Sequence, residues 1–176
     1  QEQKNQKKHQ SNISISENEL HKDAKPLINL NLRLVENVKG FAMFLNLSEF
    51  DDIGFFDEDF FIYFEEIDLC RRVIRVNKNI YLAPTIKINH SGGQSHNNAI
   101  NNEMELSRNW HWMWSTFHYH KKYGGFLSAF LKVFSKLISS MFKSIFYFIL
   151  FNKKEGKIYY QRFSGLINSI AGKKSW

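Results

Sequence analysis

The chain is poor in residues that cross-link or stiffen a protein. Its 176 residues include one cysteine and two prolines, and no apolar run follows the basic residues near the N-terminus. A single cysteine excludes an intrachain disulfide, which is typical of a protein from a reducing cytoplasm. The missing apolar run predicts that these residues contain no secretory signal peptide. We therefore expect a cytoplasmic protein that depends on packing for its stability.

Acidic residues are also scarce relative to basic ones. The chain has 24 Lys and Arg against 17 Asp and Glu, a net charge of +7, and 16% aromatic residues. A basic, aromatic-rich chain suits either an anionic membrane surface or nucleic acid. The basic residues gather around an apolar C-terminal segment and not around a groove-reading motif, so we expect a membrane surface and no nucleic-acid partner.

Much of the acid lies in one stretch, residues 55–72. In its first half, aromatic residues surround a carboxylate triplet without a regular repeat, which predicts a loop anchored by rings in a core. The triplet is Asp57, Glu58 and Asp59. From Glu65 onward apolar residues recur at helical spacing, so we predict an amphipathic helix that ends near Asn77.

The charges of this predicted helix have two interpretations. Acids in the first turn and arginines later complement the helix dipole, and Asp68 can pair with Arg72, as on many surface helices. Alternatively, a carboxylate between aromatic walls acts as a general base, because apolar surroundings raise a carboxyl pKa. Glu66 is the candidate, since it lies in the first turn near the edge of the apolar face. Spacing alone favours the structural interpretation.

Three motifs change that balance. They read Gly-Phe-Ala-Met at 40–43, Ile-Gly-Phe-Phe-Asp-Glu-Asp-Phe-Phe at 53–61, and Tyr-Phe-Glu-Glu-Ile-Asp-Leu-Cys-Arg-Arg at 63–72. Together they resemble the acceptor-side half of family-2 inverting glycosyltransferases, and within that family the rhamnosyltransferase-like enzymes of bacterial surface polysaccharide assembly. The resemblance fixes both residue types and spacings, covers about residues 40–125, and favours the general-base interpretation.

The resemblance implies a reaction and a set of site residues. A nucleotide sugar would donate its sugar, with inversion, to a hydroxyl of a lipid-linked or cell-surface polysaccharide. Glu66 would be the base, and Glu65 and Asp68 would shape the charge around it. A divalent cation, Mg²⁺ or Mn²⁺, would bind the donor diphosphate with His90 as a ligand. The substrate-binding candidates are Gly40, Asp57, Glu58 and Trp110.

The chain departs from the family pattern in three ways. Glu66 stands where the family has aspartate, and Ile53 replaces the first glycine of the second motif. In addition, the residues before Gly40 contain no donor-binding half with its Asp-X-Asp motif. We therefore expect little catalysis by this chain alone, and a separate chain could carry the donor half. The alternative is a non-catalytic, membrane-associated interaction protein that retains a remnant of the fold.

Two candidates have structural alternatives. His90 precedes Ser-Gly-Gly, and it is either a satisfied structural histidine or a metal ligand. The glycine pair would let main-chain N–H groups approach a phosphate. Trp110 lies on the same face of a predicted helix over residues 103–122 as Trp114 and Phe117, which favours a core stripe over a platform for sugar stacking.

Residues 126–151 are mostly apolar but carry one polar stripe. The stripe consists of Ser128, Lys132, Ser135, Lys136, Ser139 and Lys143. The lysines interrupt an apolar run of spanning length, so we predict an amphipathic helix in the interface of an anionic membrane. The alternative is a helix packed on the protein's own core. With the helix in the membrane interface, the chain would be peripheral to the inner face of the cell membrane.

The remaining patterns complete the prediction of an α/β fold, a partial GT-A-type glycosyltransferase fold with a helical C-terminal extension. Alternation and β-forming residues predict strands over residues 28–34, 38–47, 80–82 and 85–89, and a short helix over 49–53. The predicted division is a disordered or loosely attached segment at 1–25, the acceptor-side half of a glycosyltransferase domain at 26–124, and the membrane-associating helical extension at 125–176.

Overall fold

The computed structural model describes residues 30–90 and 100–175. The predicted disorder at 1–25 and the glycine pair after His90 lie outside these residues. Its elements in chain order are β1 (Arg33–Val35), a 3₁₀ turn (Leu47–Glu49), α1 (Glu65–Arg75), β2 (Ile80–Leu82), α2 (Asn101–Ile149) and α3 (Lys153–Ile170).

Strands β1 and β2 form an antiparallel ribbon in which Leu34 faces Tyr81. The prediction for β2 is confirmed, whereas that for β1 is confirmed only at Arg33 and Leu34, because residues 30–32 are described and lie outside the strand. The strands predicted at 38–47 and 85–89 are wrong, because no described neighbour pairs with them and backbone groups need a partner. The predicted helix at 49–53 is replaced by a 3₁₀ turn that begins two residues earlier, where the Asn46 carbonyl accepts from the Glu49 N–H at 3.0 Å.

Helix α1 buries one side against the loop that precedes it. Leu69 and Val73 form a small core with Phe50, and four partly buried side chains surround it. These are Met43, Leu45, Ile53 and Ile80. The predicted amphipathic helix is therefore confirmed, and beyond its end Asn77 takes a left-handed conformation with φ of 59°.

Helix α2 consists of two arms that meet at Gly125. This glycine has φ of 75° and ψ of 170°, a conformation that side chains other than glycine disfavour. We call residues 101–124 the first arm and residues 126–149 the second arm. Met113 and Phe117 of the first arm share a core with Val133 and Leu137 of the second, so the chain reverses direction at the glycine. The core therefore continues across the predicted domain boundary at 124/125.

Helix α3 completes a three-helix unit with the two arms. Leu166 is fully buried in their core, and Ile158 is nearly so. A Cβ atom at Gly165 would lie 2.3 Å from the carbonyl oxygen of Trp110, so the glycine permits close approach to the first arm. The Asn152 side chain caps the helix by accepting from the Glu155 N–H at 3.2 Å. The sequence analysis predicted a helical extension over 125–176 but did not separate this helix from the one before it.

The described part of the chain is mainly helical, with one two-stranded sheet. The helices predicted at 103–122 and 126–151 are confirmed as the two arms of α2. The GT-A-type α/β fold, which needs more strands than these residues supply, stays a prediction.

Candidate functional site

The residues that lead into α1 have an unusual backbone. Tyr63 and Phe64 take left-handed conformations with φ of 69° and 72°, which aromatic residues rarely adopt. Side chains of the first arm hold them in place. The Ser115 hydroxyl donates to the Ile62 carbonyl at 2.9 Å, and the Trp112 ring lies edge-on to Tyr63 at 5.2 Å. The two glutamates that follow are therefore placed by tertiary contacts and not by the helix alone.

Glu65 and Glu66 have shielded but unpartnered oxygens. Both Oε2 atoms are buried, and no described residue donates a hydrogen bond to either. A Cβ atom at Gly40 would lie 3.5 Å from that of Glu66, so the Gly40 backbone packs against the Glu66 side chain. Burial raises the pKa of Glu65, and the charge of Glu66 adds to the rise. The structure thus brings Gly40 and Glu66 together, with Glu65 next to Glu66 in the chain, and it leaves the two Oε2 atoms without a hydrogen-bond donor among the described residues.

Asp68, by contrast, is completely enclosed. Its carboxylate accepts from Arg72 Nε at 2.8 Å and from the Tyr123 hydroxyl at 2.7 Å, and Lys122 Nζ lies 2.6 Å from Oδ1. Burial pushes the pKa of Asp68 upward, but the hydrogen bonds from Lys122, Tyr123 and Arg72 outweigh it and lower the pKa. The pairing of Asp68 with Arg72 is confirmed, and the carboxylate offers no surface to a ligand.

Asp57 shares the same lysine. Lys122 Nζ lies 2.6 Å from Asp57 Oδ2, and Asp57 Oδ1 accepts from the Asp59 N–H at 2.9 Å. Burial favours a higher pKa for Asp57, yet the contact with Lys122 holds it below its usual value. One oxygen each of Asp57 and Asp59 and one nitrogen of His118 lie within 4.8 Å of one another. A metal ion there would compete with the Lys122 ammonium group, which already pairs with the Asp57 carboxylate.

His90 lies elsewhere. Its ring is exposed and stacks on Phe41 at 4.8 Å with an interplanar angle of 7°. Because Phe41 follows Gly40, this places the imidazole near the segment that packs on Glu66. Among residues 30–90 and 100–175, no pair of possible ligands joins His90 in a three-member group. The described residues thus supply one imidazole and not a complete metal site.

The other substrate-binding candidates are separated from the glutamates. Glu58 is exposed in the loop before α1. Trp110 lines a shallow groove of about 300 Å³ beside α3, where its backbone meets Gly165. The tryptophan ring that contacts Phe64 is that of Trp112, which is 47% exposed. Sequence reasoning missed Trp112, although its spacing to Ser115 is that of neighbours on one helix face.

The aromatic rings that were predicted to anchor the loop before α1 are buried only in part. Phe60 is 5% exposed and contacts His118 edge-on at 4.9 Å. Its three neighbouring phenylalanines stay exposed, so the prediction that rings anchor this loop in a core is wrong for them. They are Phe55, Phe56 and Phe61. Arg72 secures the loop instead by donating to the carbonyls of three consecutive residues, namely Ile53, Gly54 and Phe55.

Part of the chain is similar to a known protein. Over 50 residues, 28% of this chain, it is 44% identical to the low-salt glycan biosynthesis hexosyltransferase Agl10 of Haloferax volcanii. The chain spans 16% of that protein's length. No family model matches the chain, and no solved structure does. The similarity supports a glycosyltransferase-like relationship over the matched residues.

Proposed function

We propose that this chain is the acceptor-side part of an inverting family-2 glycosyltransferase of the rhamnosyltransferase-like kind. It would transfer a sugar from a nucleotide-sugar donor to a hydroxyl of a lipid-linked or cell-surface polysaccharide. The observation that carries the proposal is the pair of buried, unpartnered Oε2 atoms of Glu65 and Glu66, with the Glu66 side chain against Gly40. The partial similarity to a glycan hexosyltransferase supports the same class of reaction.

In the proposed step Glu66 acts as the general base. The acceptor hydroxyl donates its hydrogen bond to the Glu66 carboxylate. The carboxylate takes the proton as the hydroxyl oxygen attacks the anomeric carbon of the donor. A new carbon–oxygen bond forms, the bond to the diphosphate breaks on the opposite face, and the nucleoside diphosphate leaves. Glu65 contributes negative charge beside the base, and Gly40 leaves room for the Glu66 side chain. Asp68 would act indirectly, by fixing the orientation of α1.

A divalent cation, Mg²⁺ or Mn²⁺, is part of the proposal and would neutralise charge on the leaving diphosphate. His90 would offer one ligand, and the others would come from a donor-binding half on another part of the protein or on a separate chain. The ribbon β1–β2 supports such a partner, because large apolar side chains on and beside it are exposed. They are Leu32, Leu34, Tyr81, Leu82, Ile86 and Ile88.

We also propose that the chain lies on the inner face of the cell membrane. Helix α2 is long and apolar enough to cross a membrane by length and composition. However, it is broken at Gly125, and its second arm carries Lys132, Lys136 and Lys143 along one side. An interfacial helix accommodates both features, since its apolar side enters the acyl region while its lysines meet anionic headgroups.

The test combines donor binding with transfer. The full chain, alone and with membranes from the cells that produce it, is titrated with nucleoside diphosphate and Mn²⁺ and assayed for transfer from nucleotide sugars. Glu66→Gln should lower transfer by about a hundredfold or more, as expected for loss of a general base, while Glu36→Gln, at an exposed position, should not. His90→Ala should weaken metal-dependent binding. Equal transfer by Glu66→Gln and the unaltered chain would contradict the assignment of the base.

The second candidate is a non-catalytic, membrane-associated interaction protein. The exposed apolar side of α2 favours it, because that surface involves none of the candidate catalytic residues. Vesicle binding without nucleotide binding or transfer, even in the presence of membranes from the producing cells, would favour this candidate over the enzyme.

A further inference from the structure

The three-helix unit contains a second groove, of about 530 Å³, between the two arms of α2 and α3. It lies on the side of the unit that carries the polar stripe of the second arm. Ser140 lines it too, but its hydroxyl donates to the Leu137 carbonyl. The other polar side chains that line the groove are Ser135, Lys136, Ser139, Lys143, Tyr159 and Arg162. The groove therefore presents three cationic groups and three hydroxyl groups to one space.

The cations in this groove lack acidic partners. Lys143 Nζ and the Arg162 guanidinium carbon each lie 5.1 Å from the centre of the Tyr159 ring, so two helices bring positive charge to one point. No acidic residue lines the groove, and no described carboxylate pairs with its three cations. Like charges that line one groove repel, so a bound anion would stabilise the arrangement.

The positive field extends to a neighbouring side chain of the first arm. Burial lowers the pKa of His120, and the charges of Lys132, Lys136 and Arg71 lower it further. The sequence contains no acidic residue between Glu105 and Glu155, so the unit has little to offset this field.

An exposed apolar strip runs beside the groove along the second arm. Its members recur every three, four or eight residues and so lie on one side of the helix. They are Leu127, Leu131, Phe134, Phe142, Ile145 and Ile149, with exposed fractions from 48% to 70%. The core residues of the arm lie on another side, which leaves the strip without a partner among the described residues.

We infer that the groove binds the phosphoryl group of an anionic lipid whose hydrocarbon chain lies along the apolar strip. Cations and hydroxyl groups supply charge-assisted hydrogen bonds to phosphoryl oxygens, and the strip supplies apolar contact to the chain. The inference rests on the membrane placement proposed above. Trp112 lines the groove and also contacts Tyr63 and Phe64, so one ring joins the headgroup site to the segment that carries the candidate base.

The experiment measures binding of the full chain to phosphatidylcholine vesicles with and without phosphatidic acid, by co-sedimentation. The groove variant is Lys136→Gln with Lys143→Gln, and the control is Lys153→Gln with Lys157→Gln, which removes equal charge from exposed positions outside the groove. The groove variant should bind phosphatidic acid vesicles roughly thirtyfold more weakly than the unaltered chain. The control variant should bind them weaker by about tenfold or less. Circular dichroism checks that both variants fold.

Each other result overturns a defined part of the inference. Equal losses in the two variants would mean that diffuse charge binds the membrane, which removes the groove site but not the membrane placement or the transfer reaction. If inorganic phosphate binds in the groove as tightly as phosphatidic acid vesicles do, the groove is a site for free phosphate, and the assignment of a lipid is overturned. Failure of the unaltered chain to bind either vesicle would overturn the groove assignment together with the membrane placement, leaving Glu66 to be judged by transfer.

Discussion

The two regions of the molecule differ in the size of the core that holds each together. The three-helix unit of α2 and α3 has a shared core in which Phe117, Val133 and Leu166 are fully buried. The region before it, residues 30–90, has a core of three buried residues, while Phe44 is 92% exposed. The helical unit thus supplies its own stability, whereas the region that carries the motifs relies on neighbours. A candidate site held this way is sensitive to what docks beside it.

The joint between the regions combines ring contacts, such as Trp112 on Tyr63, with polar contacts. Lys122 and Tyr123 of the first arm contact Asp68, and Arg71 stacks over the Tyr123 ring at 3.9 Å. At the C-terminal end, the Ser175 hydroxyl donates to the Asp59 carbonyl at 2.8 Å. Hydrogen bonds are directional, so the joint fixes the orientation of α1 and of the glutamates at its start.

The largest effect should come from the helical core. Phe117→Ala removes a fully buried ring, and we expect the free energy of unfolding to fall by about 4 kcal/mol. Phe142→Ala is the matched control, because this ring is 62% exposed on the same helix, and it should change the value by less than about 0.5 kcal/mol without lipid. Denaturant unfolding followed by circular dichroism measures both. Similar losses would mean that the exposed strip is buried in solution.

A somewhat smaller effect is expected at the joint. Asp68→Asn leaves Lys122 and Arg72 without their shared carboxylate, and we expect a loss of about 3 kcal/mol at neutral pH. The lowered pKa of Asp68 means that its stabilisation is present above the ordinary value of 3.8 and is lost as the pH falls through the folded-state pKa. The difference between the two proteins should therefore close in acid.

Denaturation at several pH values measures this difference, with Asp51→Asn, at an exposed position, as the control. A difference that stays constant into strong acid would show that the carboxylate charge does not hold the joint.

The smallest effect is expected at the candidate site. Burial raises the pKa of Glu65 in the folded protein, so ionisation of this side chain lowers the stability. Below the ordinary pKa of 4.5 the carboxyl group is protonated in both the folded and the unfolded protein, and this loss is absent. Glu65→Gln should therefore raise the melting temperature slightly at pH 7, and this advantage should disappear below pH 4.5. Thermal unfolding across this range is the measurement. A melting temperature lowered at pH 7 would show that a charged partner stabilises Glu65.

The site could be predicted from sequence only where its residues are close in the chain. The motif spacing placed Glu65, Glu66 and Asp68 on one helix, and the pairing with Arg72 follows from a separation of four residues. Trp112, Lys122 and Ser115 were missed as site neighbours because they come from a distant helix, and no local pattern reveals that approach. For the same reason the burial of Asp68 could not be foreseen.

The sequence by itself determined the existence of α1 and of both arms of α2, because apolar residues at helical spacing require one buried side. Only the tertiary structure decided which way the chain turns at Gly125, where α3 docks and which carboxylates keep a free oxygen. Those outcomes depend on contacts between residues far apart in the chain, such as Gly165 with Trp110 and Tyr123 with Asp68. Periodicity reports a segment's own preference for burial, whereas the partner that buries it is chosen by the whole fold.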